Sequence, residues 1–190
     1  MTRIVAGRAR GRRLAVPPRG TRPTSDRTRE ALFNTLATEV ELDGARVLDL
    51  FAGSGAVGFE ALSRGAAAAV LVESDRRAAA VVADNARTLG LPGATVHRGT
   101  AAGYLTRPAT DEPAFDVAFD LVFADPPYEL PAAEVDSLLR ALAAGGWLAP
   151  GAVVVIERRS RDAGPRWPNE IKAIKQRRYG EACLWYGRRQ

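Results

Sequence analysis

One cysteine, Cys183, and one histidine, His97, stand among 190 residues. A disulfide needs two thiols and a structural zinc site needs four ligands rich in Cys and His, so neither framework can be built and no metal site is expected. Long hydrophobic runs are also missing. The longest uncharged stretch, Ala141 to Ile156, covers 16 residues and is interrupted by Gly145, Gly146, Pro150 and Gly151, short of a membrane span. It reads as a helix end, a turn and a strand. No apolar segment follows Arg3, Arg8 and Arg10, which argues against a signal peptide. A cytoplasmic protein with no membrane partner is expected. Lysine is scarce too: 25 of the 27 basic residues are arginine.

What is present is an ordinary globular balance, 46% hydrophobic and 26% charged, with no internal repeat. That predicts one main domain with a small appendage, divided as 1–20 and 21–190. The net charge of +5 hides a segregation. Residues 1–30 carry +7, residues 157–190 carry +6, and the stretch between them carries −8. Two basic ends flanking an acidic middle could form one phosphate-binding face, which the motifs must decide.

The central region alternates short apolar runs with helical patterns. Ala45 to Leu50, Ala68 to Glu73, Ala94 to Arg98, Phe119 to Ala124 and Ala152 to Glu157 read as strands. Helices are expected near Ala56 to Arg64, from Asp75 to Leu89 closed by Gly90, and from Pro131 to Ala144, where Val135, Leu138, Leu139 and Leu142 share a face. Such alternation predicts an α/β fold, a parallel sheet with helices on both faces and a ligand at the strands' carboxyl ends. Met1 to Pro18 reads as a basic hairpin turning at Gly7 and Gly11, and Arg22 to Asn34 begins a helix capped near Thr24 to Asp26. Ile171 to Gly187 reads as two strands around Tyr179-Gly180, and Thr106 to Ala118 as a loop.

The loop after the first central strand, Gly53-Ser54-Gly55-Ala56-Val57-Gly58, matches the dinucleotide pattern G-x-G-x-x-G, with Glu73 placed where a ribose-binding acid would stand. Asp49 argues against a dinucleotide. Four residues before Gly53, it puts a carboxylate where a pyrophosphate needs positive potential. S-adenosylmethionine offers no phosphate there but an ammonium and a sulfonium, which a carboxylate attracts. Glu73 suits the ribose of either molecule.

Phe119 to Tyr128, FDLVFADPPY, ends an apolar strand in a carboxylate, two prolines and an aromatic ring. An exocyclic amine on a purine is a poor nucleophile because its lone pair is delocalised. Acceptors aimed at its N–H bonds favour the tetrahedral geometry it needs to attack a methyl group. Asp125 and the carbonyl of Pro126 can be those acceptors, with Pro126 and Pro127 fixing the backbone and Tyr128 giving an unstacked base a flat face.

D-P-P-Y with D-x-F-x-G-S-G resembles the amino-group methyltransferases of nucleic acids. With R-x-R-G-R-R-L from Arg8, R-P-T-S-D-R-T-R-E-A-L-F-N from Arg22 and the basic C-terminal hairpin, the chain is similar over nearly its whole length to RsmD, a bacterial family of 16S ribosomal RNA guanine-N2 methyltransferases. The resemblance implies a Rossmann-like class I S-adenosylmethionine-dependent methyltransferase: a seven-stranded, mostly parallel sheet, last strand antiparallel, beside a small N-terminal basic β-hairpin. It implies Asp125, Pro126, Pro127 and Tyr128 at the base. Asp49, Phe51, Gly53, Ser54, Gly55, Glu73 and Ser74 fall to the cofactor, with Thr24 and Arg27 in the segment at its methionine end. Arg8, Arg10, Arg12, Arg13 and Arg22 fall to RNA. Where such enzymes often carry an acid for the adenine amine, this chain has Thr100, leaving that contact to backbone atoms of Thr100 and Ala101. The implied partner is 16S ribosomal RNA in a small-subunit particle, met by a monomer. A DNA adenine-N6 methyltransferase is the nearest alternative, although 190 residues leave little room for a duplex-reading domain. A noncatalytic RNA-binding or ribosome-assembly module would explain the basic ends and leave Asp125 to Tyr128 idle.

Overall fold

The structure, a computed structural model, describes residues 2–17, 26–107 and 118–190. In chain order its elements are β1 (Thr2–Arg3), β2 (Arg13–Leu14), α1 (Asp26–Leu36), β3 (Arg46–Asp49), α2 (Ala56–Ser63), β4 (Ala68–Glu73) and α3 (Arg76–Leu89). There follow β5 (Ala94–Arg98), α4 (Ala101–Leu105), β6 (Phe119–Ala124), α5 (Ala132–Ala144), β7 (Leu148–Arg159), β8 (Ile171–Tyr179) and β9 (Ala182–Arg189). β1 and β2 pair as a small antiparallel sheet, and the other strands form a seven-stranded sheet in the order β5-β4-β3-β6-β7-β9-β8. The strands from β5 to β7 are parallel, whereas β9 runs antiparallel between β7 and β8. This is the expected sheet, last strand included.

The central strands are apolar along most of their length because both faces are covered, with Arg46 and Asp120 paired near the amino ends of β3 and β6. Alternate residues go to opposite sides: Val47, Leu121, Val153 and Val155 pack under the hairpin and α1 to α3. Leu48, Val122, Val154 and Ile156 pack under α4 and α5. The helix ends follow local chemistry. α3 starts where the Asp75 carboxylate accepts the Arg77 and Ala78 amides at 2.9 and 2.8 Å, and it stops at Gly90, whose φ of 60° is left-handed.

Two expectations need correction. β7 begins at Leu148, not Ala152, because Pro150 and Gly151 are absorbed in an irregularity where the register jumps from Phe119↔Leu148 to Leu121↔Val153. It also runs on to Arg159, which matters below. α4 was not foreseen, since five residues are too few to show a helical period. The expected cap at Thr24 and Ser25, the domain boundary after residue 20 and most of the Thr106 to Ala118 loop lie outside the described residues.

The hairpin has its own sheet but shares the main core through Ile4, Ala9 and Leu14. Its attachment is polar as well. Glu60 on α2, fully buried, accepts the Val5 and Ala6 amides at 2.7 and 2.9 Å and pairs with Arg64 at 2.8 Å and with buried Arg29 at 3.5 Å. Arg29 reaches Asp26 at 2.9 Å and the Arg3 carbonyl, so α1, α2 and the hairpin meet at one buried charge cluster. Removing Arg29 would leave the fully buried Glu60 charge less compensated, at a cost of about 3–5 kcal/mol.

Candidate active site

The strand order reverses direction between β3 and β6, which leads the chain to β4 and β5 on one side and to β7 on the other. At such a switch point the loops leaving two adjacent parallel strands diverge and open a crevice. Asp49 pairs with Phe123, and the Leu50 amide donates to the Phe123 carbonyl at 3.0 Å. The glycine loop after Asp49 and the D-P-P-Y loop after Ala124 therefore leave the sheet side by side.

The glycines have separate tasks. Gly53 and Gly55 have φ of 56° and 79°, the left-handed region other residues avoid. A Cβ on Gly58 would lie 2.8 Å from a Leu71 methyl, so that glycine serves the packing of α2 on β4. Glu73, at the end of β4, does more than the ribose role foresaw. One carboxylate oxygen accepts the Gly53 amide at 2.9 Å and the other the Asp75 amide at 2.8 Å, tying the glycine loop to the start of α3. Each oxygen has a further lone pair for a hydroxyl. Ser74 is exposed beside it and Phe51 is half-buried against the second core face.

Asp49 is 1% exposed. One of its oxygens accepts the Gly58 amide at 3.3 Å, while Oδ1 makes no hydrogen bond among the described residues. Burial pushes its carboxyl up to about 7, and nearby Glu73 adds to that, against the Gly58 and Phe51 amides. A buried carboxylate with an open acceptor, next to a glycine loop, fits a cationic ligand and opposes a pyrophosphate. Its chemistry thus suits S-adenosylmethionine.

Further along the same edge, Thr100 caps α4, its hydroxyl accepting the Gly103 amide at 3.0 Å. Ala101, the first residue of α4, is buried. Both follow β5, the neighbour of β4. Thr24 lies outside the described residues, and Arg27, exposed on α1, forms no described hydrogen bond or ion pair with the glycine loop.

In the second loop Asp125 and Tyr128 are half-buried, Pro126 is buried and Pro127 is exposed. A turn closes through the Leu130 amide to the Pro127 carbonyl at 2.9 Å. Sequence reasoning missed what holds this turn. Arg158, 7% exposed near the end of β7, donates to the carbonyls of Pro127, Tyr128 and Leu130 at 3.3, 3.4 and 3.0 Å, and its Nε lies 3.6 Å from Asp162. The next residue, Arg159, places its guanidinium 4.7 Å from the centre of the Tyr128 ring and 3.4 Å from Glu129. The signal was in the register: Ala124 pairs with Ile156, so the residues two beyond each stand abreast.

A family model described as Conserved hypothetical protein 95 matches residues 2–188. The chain is 40% identical over 182 residues to the Escherichia coli K12 protein named Ribosomal RNA small subunit methyltransferase D, covering 95% of this chain and 86% of that one. The chain belongs to the RsmD family. A Haemophilus influenzae protein of the same name is 39% identical over 158 residues, covering 82% of this chain and 77% of its own. A solved Escherichia coli structure, 36% identical, superposes with a TM-score of 0.86 over all of this chain and 98% of its own.

Within this RsmD-family chain the arginines assigned to RNA divide by use. Arg8 donates to the Leu62 carbonyl at 3.1 Å, and Arg12 donates to the Thr88 and Leu89 carbonyls, so these two close the C-terminal ends of α2 and α3. Arg10 and Arg13 are exposed. Arg22 lies outside the described residues. A second missed residue is Asn85 on α3, buried, which pairs both backbone groups of Ala15 and the Ser54 carbonyl, each at 2.9 Å. It joins the segment after β2 to the glycine loop.

Proposed function

We propose that this chain methylates the exocyclic N2 amine of a guanine in 16S ribosomal RNA, with S-adenosylmethionine as donor. Membership of the RsmD family supports the coarser statement, methylation of small-subunit ribosomal RNA. The D-P-P-Y turn beside the glycine loop, held by Arg158, is the observation that supports an exocyclic purine amine as acceptor, and the choice of guanine N2 rests on the family resemblance. We further propose that the chain acts as a cytoplasmic monomer on RNA within a small-subunit particle.

Bound at the glycine loop, S-adenosylmethionine supplies an electrophilic methyl group on a sulfonium sulfur. Asp49 offers its open oxygen to the ammonium, Glu73 its remaining lone pairs to the ribose hydroxyls, and Thr100 and Ala101 their backbone to the adenine. Asp125 and the Pro126 carbonyl accept the two N–H bonds of the target amine and draw it toward tetrahedral geometry. As the new N–C bond forms, the methyl–sulfur bond breaks to leave a neutral thioether, and the proton lost by the amine passes through the Asp125 carboxylate that accepts it to water. The prolines and Arg158 hold the acceptors still, so no reorganisation is needed at the moment of reaction. Tyr128 stacks on the unpaired base.

Asp125→Ala tests the reading. Methyl transfer should fall on the order of 10²- to 10³-fold, the effect of losing one well-placed electrostatic group, while calorimetry shows cofactor binding intact. Turnover within a few-fold of wild type would remove Asp125 from the chemistry, and no methyl transfer by the folded, cofactor-binding wild type would favour a noncatalytic RNA-binding module.

A further inference from the structure

A cleft of about 310 Å³ opens beside Tyr128, walled by Arg159, Ser160, Arg161 and Glu181. It lies where the end of β7 meets the β8–β9 turn, and the Ser160 amide donates to the Glu181 carbonyl at 2.7 Å across that junction. The cofactor needs none of it. Resting on the proposed reading of Tyr128, we propose that this cleft binds the nucleotide adjoining the target guanosine in a single-stranded RNA, its phosphate on Arg159 and Arg161.

Three observations converge on that ligand. Tyr128 is shared between the D-P-P-Y turn and the cleft wall, so a strand whose base lies on Tyr128 must run its backbone past these residues. Charges of both signs line the cleft. Two guanidiniums and a hydroxyl suit a phosphodiester, while the Glu181 carboxylate suits the N–H donors of a base edge and would repel a bare anion. The ring face of Tyr128 already carries a planar group, the Arg159 guanidinium at 4.7 Å, which also lies 3.4 Å from Glu129. An arriving base takes that face and releases the guanidinium toward the phosphate beside it. Arg161 is exposed and needs no such release.

The probe is a hairpin-loop fragment of 16S ribosomal RNA, with binding followed by fluorescence anisotropy across a salt series. Arg161→Ala should weaken binding roughly tenfold, the lower end for a charge-assisted hydrogen bond, and should reduce the log–log salt slope by about 0.7, the value for one single-strand phosphate contact. Arg159→Ala should do the same. Calorimetry should show cofactor affinity unchanged in both. If wild type binds the RNA and both variants match it in affinity and slope, the cleft is not a nucleotide site. Weaker binding with an unaltered slope would also overturn the phosphate assignment. Wild type that binds the fragment but transfers no methyl group to small-subunit particles would sink the proposed function and leave these binding results standing.

Discussion

Arg158→Ala separates a residue that merely stabilises from one that aims the chemistry. The guanidinium is buried beneath the D-P-P-Y turn and donates to three carbonyls, of which only Leu130 at 3.0 Å lies within the optimal range. Its loss should therefore cost about the equivalent of one strong hydrogen bond to a charged group plus smaller amounts for the others, roughly 2–3 kcal/mol. Asp162, a quarter exposed, can return to water and adds little. In a chain of 190 residues that energy lowers the melting temperature by roughly 5–10 °C. The catalytic effect should be larger than stability alone explains. Freed from its anchor, the turn drifts by about an ångström, and a misplacement of that size costs on the order of 10²-fold in rate. Arg158→Lys, a point charge able to reach one or two of the carbonyls, should recover part of it. Steady-state methyl transfer below the melting range should show kcat reduced, with KM for RNA and calorimetric cofactor affinity near wild type. A lowered melting temperature with kcat within a few-fold of wild type would refute the positioning role.

Asp49 makes the folded protein pH-sensitive. Its folded-state carboxyl is raised to about 7 from an ordinary 3.8, so between these values the unfolded chain ionises and the folded chain does not. Its contribution is fully present below about 4 and is lost as pH rises toward 7, by roughly 4 kcal/mol at most. Cofactor binding should require the carboxylate and release a proton below pH 7; calorimetric enthalpies at pH 6 that do not vary with buffer ionisation would contradict this. Glu73→Ala should weaken cofactor binding by about 1.5–3 kcal/mol, and Glu73→Gln by less because its carbonyl can still take one amide; equal, unchanged affinities by calorimetry would remove the residue from the site. Arg10→Ala with Arg13→Ala should weaken RNA binding and leave melting alone. Arg8→Ala with Arg12→Ala should lower the melting temperature; the reverse pattern in anisotropy and melting would overturn the division drawn here.

Most of the sheet was legible because buried strands are mostly apolar, as in β4 and β6, which begin and end at the residues read as strands; half-buried β5, with Thr95, His97 and Arg98, does so too. Local chemistry also marked α3, through Asp75 and Gly90. β7 was cut short because Pro150 and Gly151 signal a break locally, and only the pairing with β6 shows them to be a bulge. The candidate site was legible where one motif marked it, at Asp49, Glu73 and Asp125, where adjacent strands end and their loops leave. It was hidden where a contact spans distant parts of the chain. Arg158 meets Pro127 across 31 residues, and Asn85 meets Ala15 across 70. Arginine carries the same ambiguity: one that closes a helix end and one that waits for a phosphate are identical in composition, and only the fold distinguishes Arg12 from Arg13.

The most direct test of the central claim is the identity of the product. Small-subunit particles from cells lacking the protein would be incubated with the purified chain and S-adenosylmethionine carrying an isotopically labelled methyl group, and the RNA digested to nucleosides for mass spectrometry. The account predicts the label in N2-methylguanosine, at one site, with wild type but not with Asp125→Ala. Label in N6-methyladenosine, or no transfer by a folded, cofactor-binding protein, would contradict it.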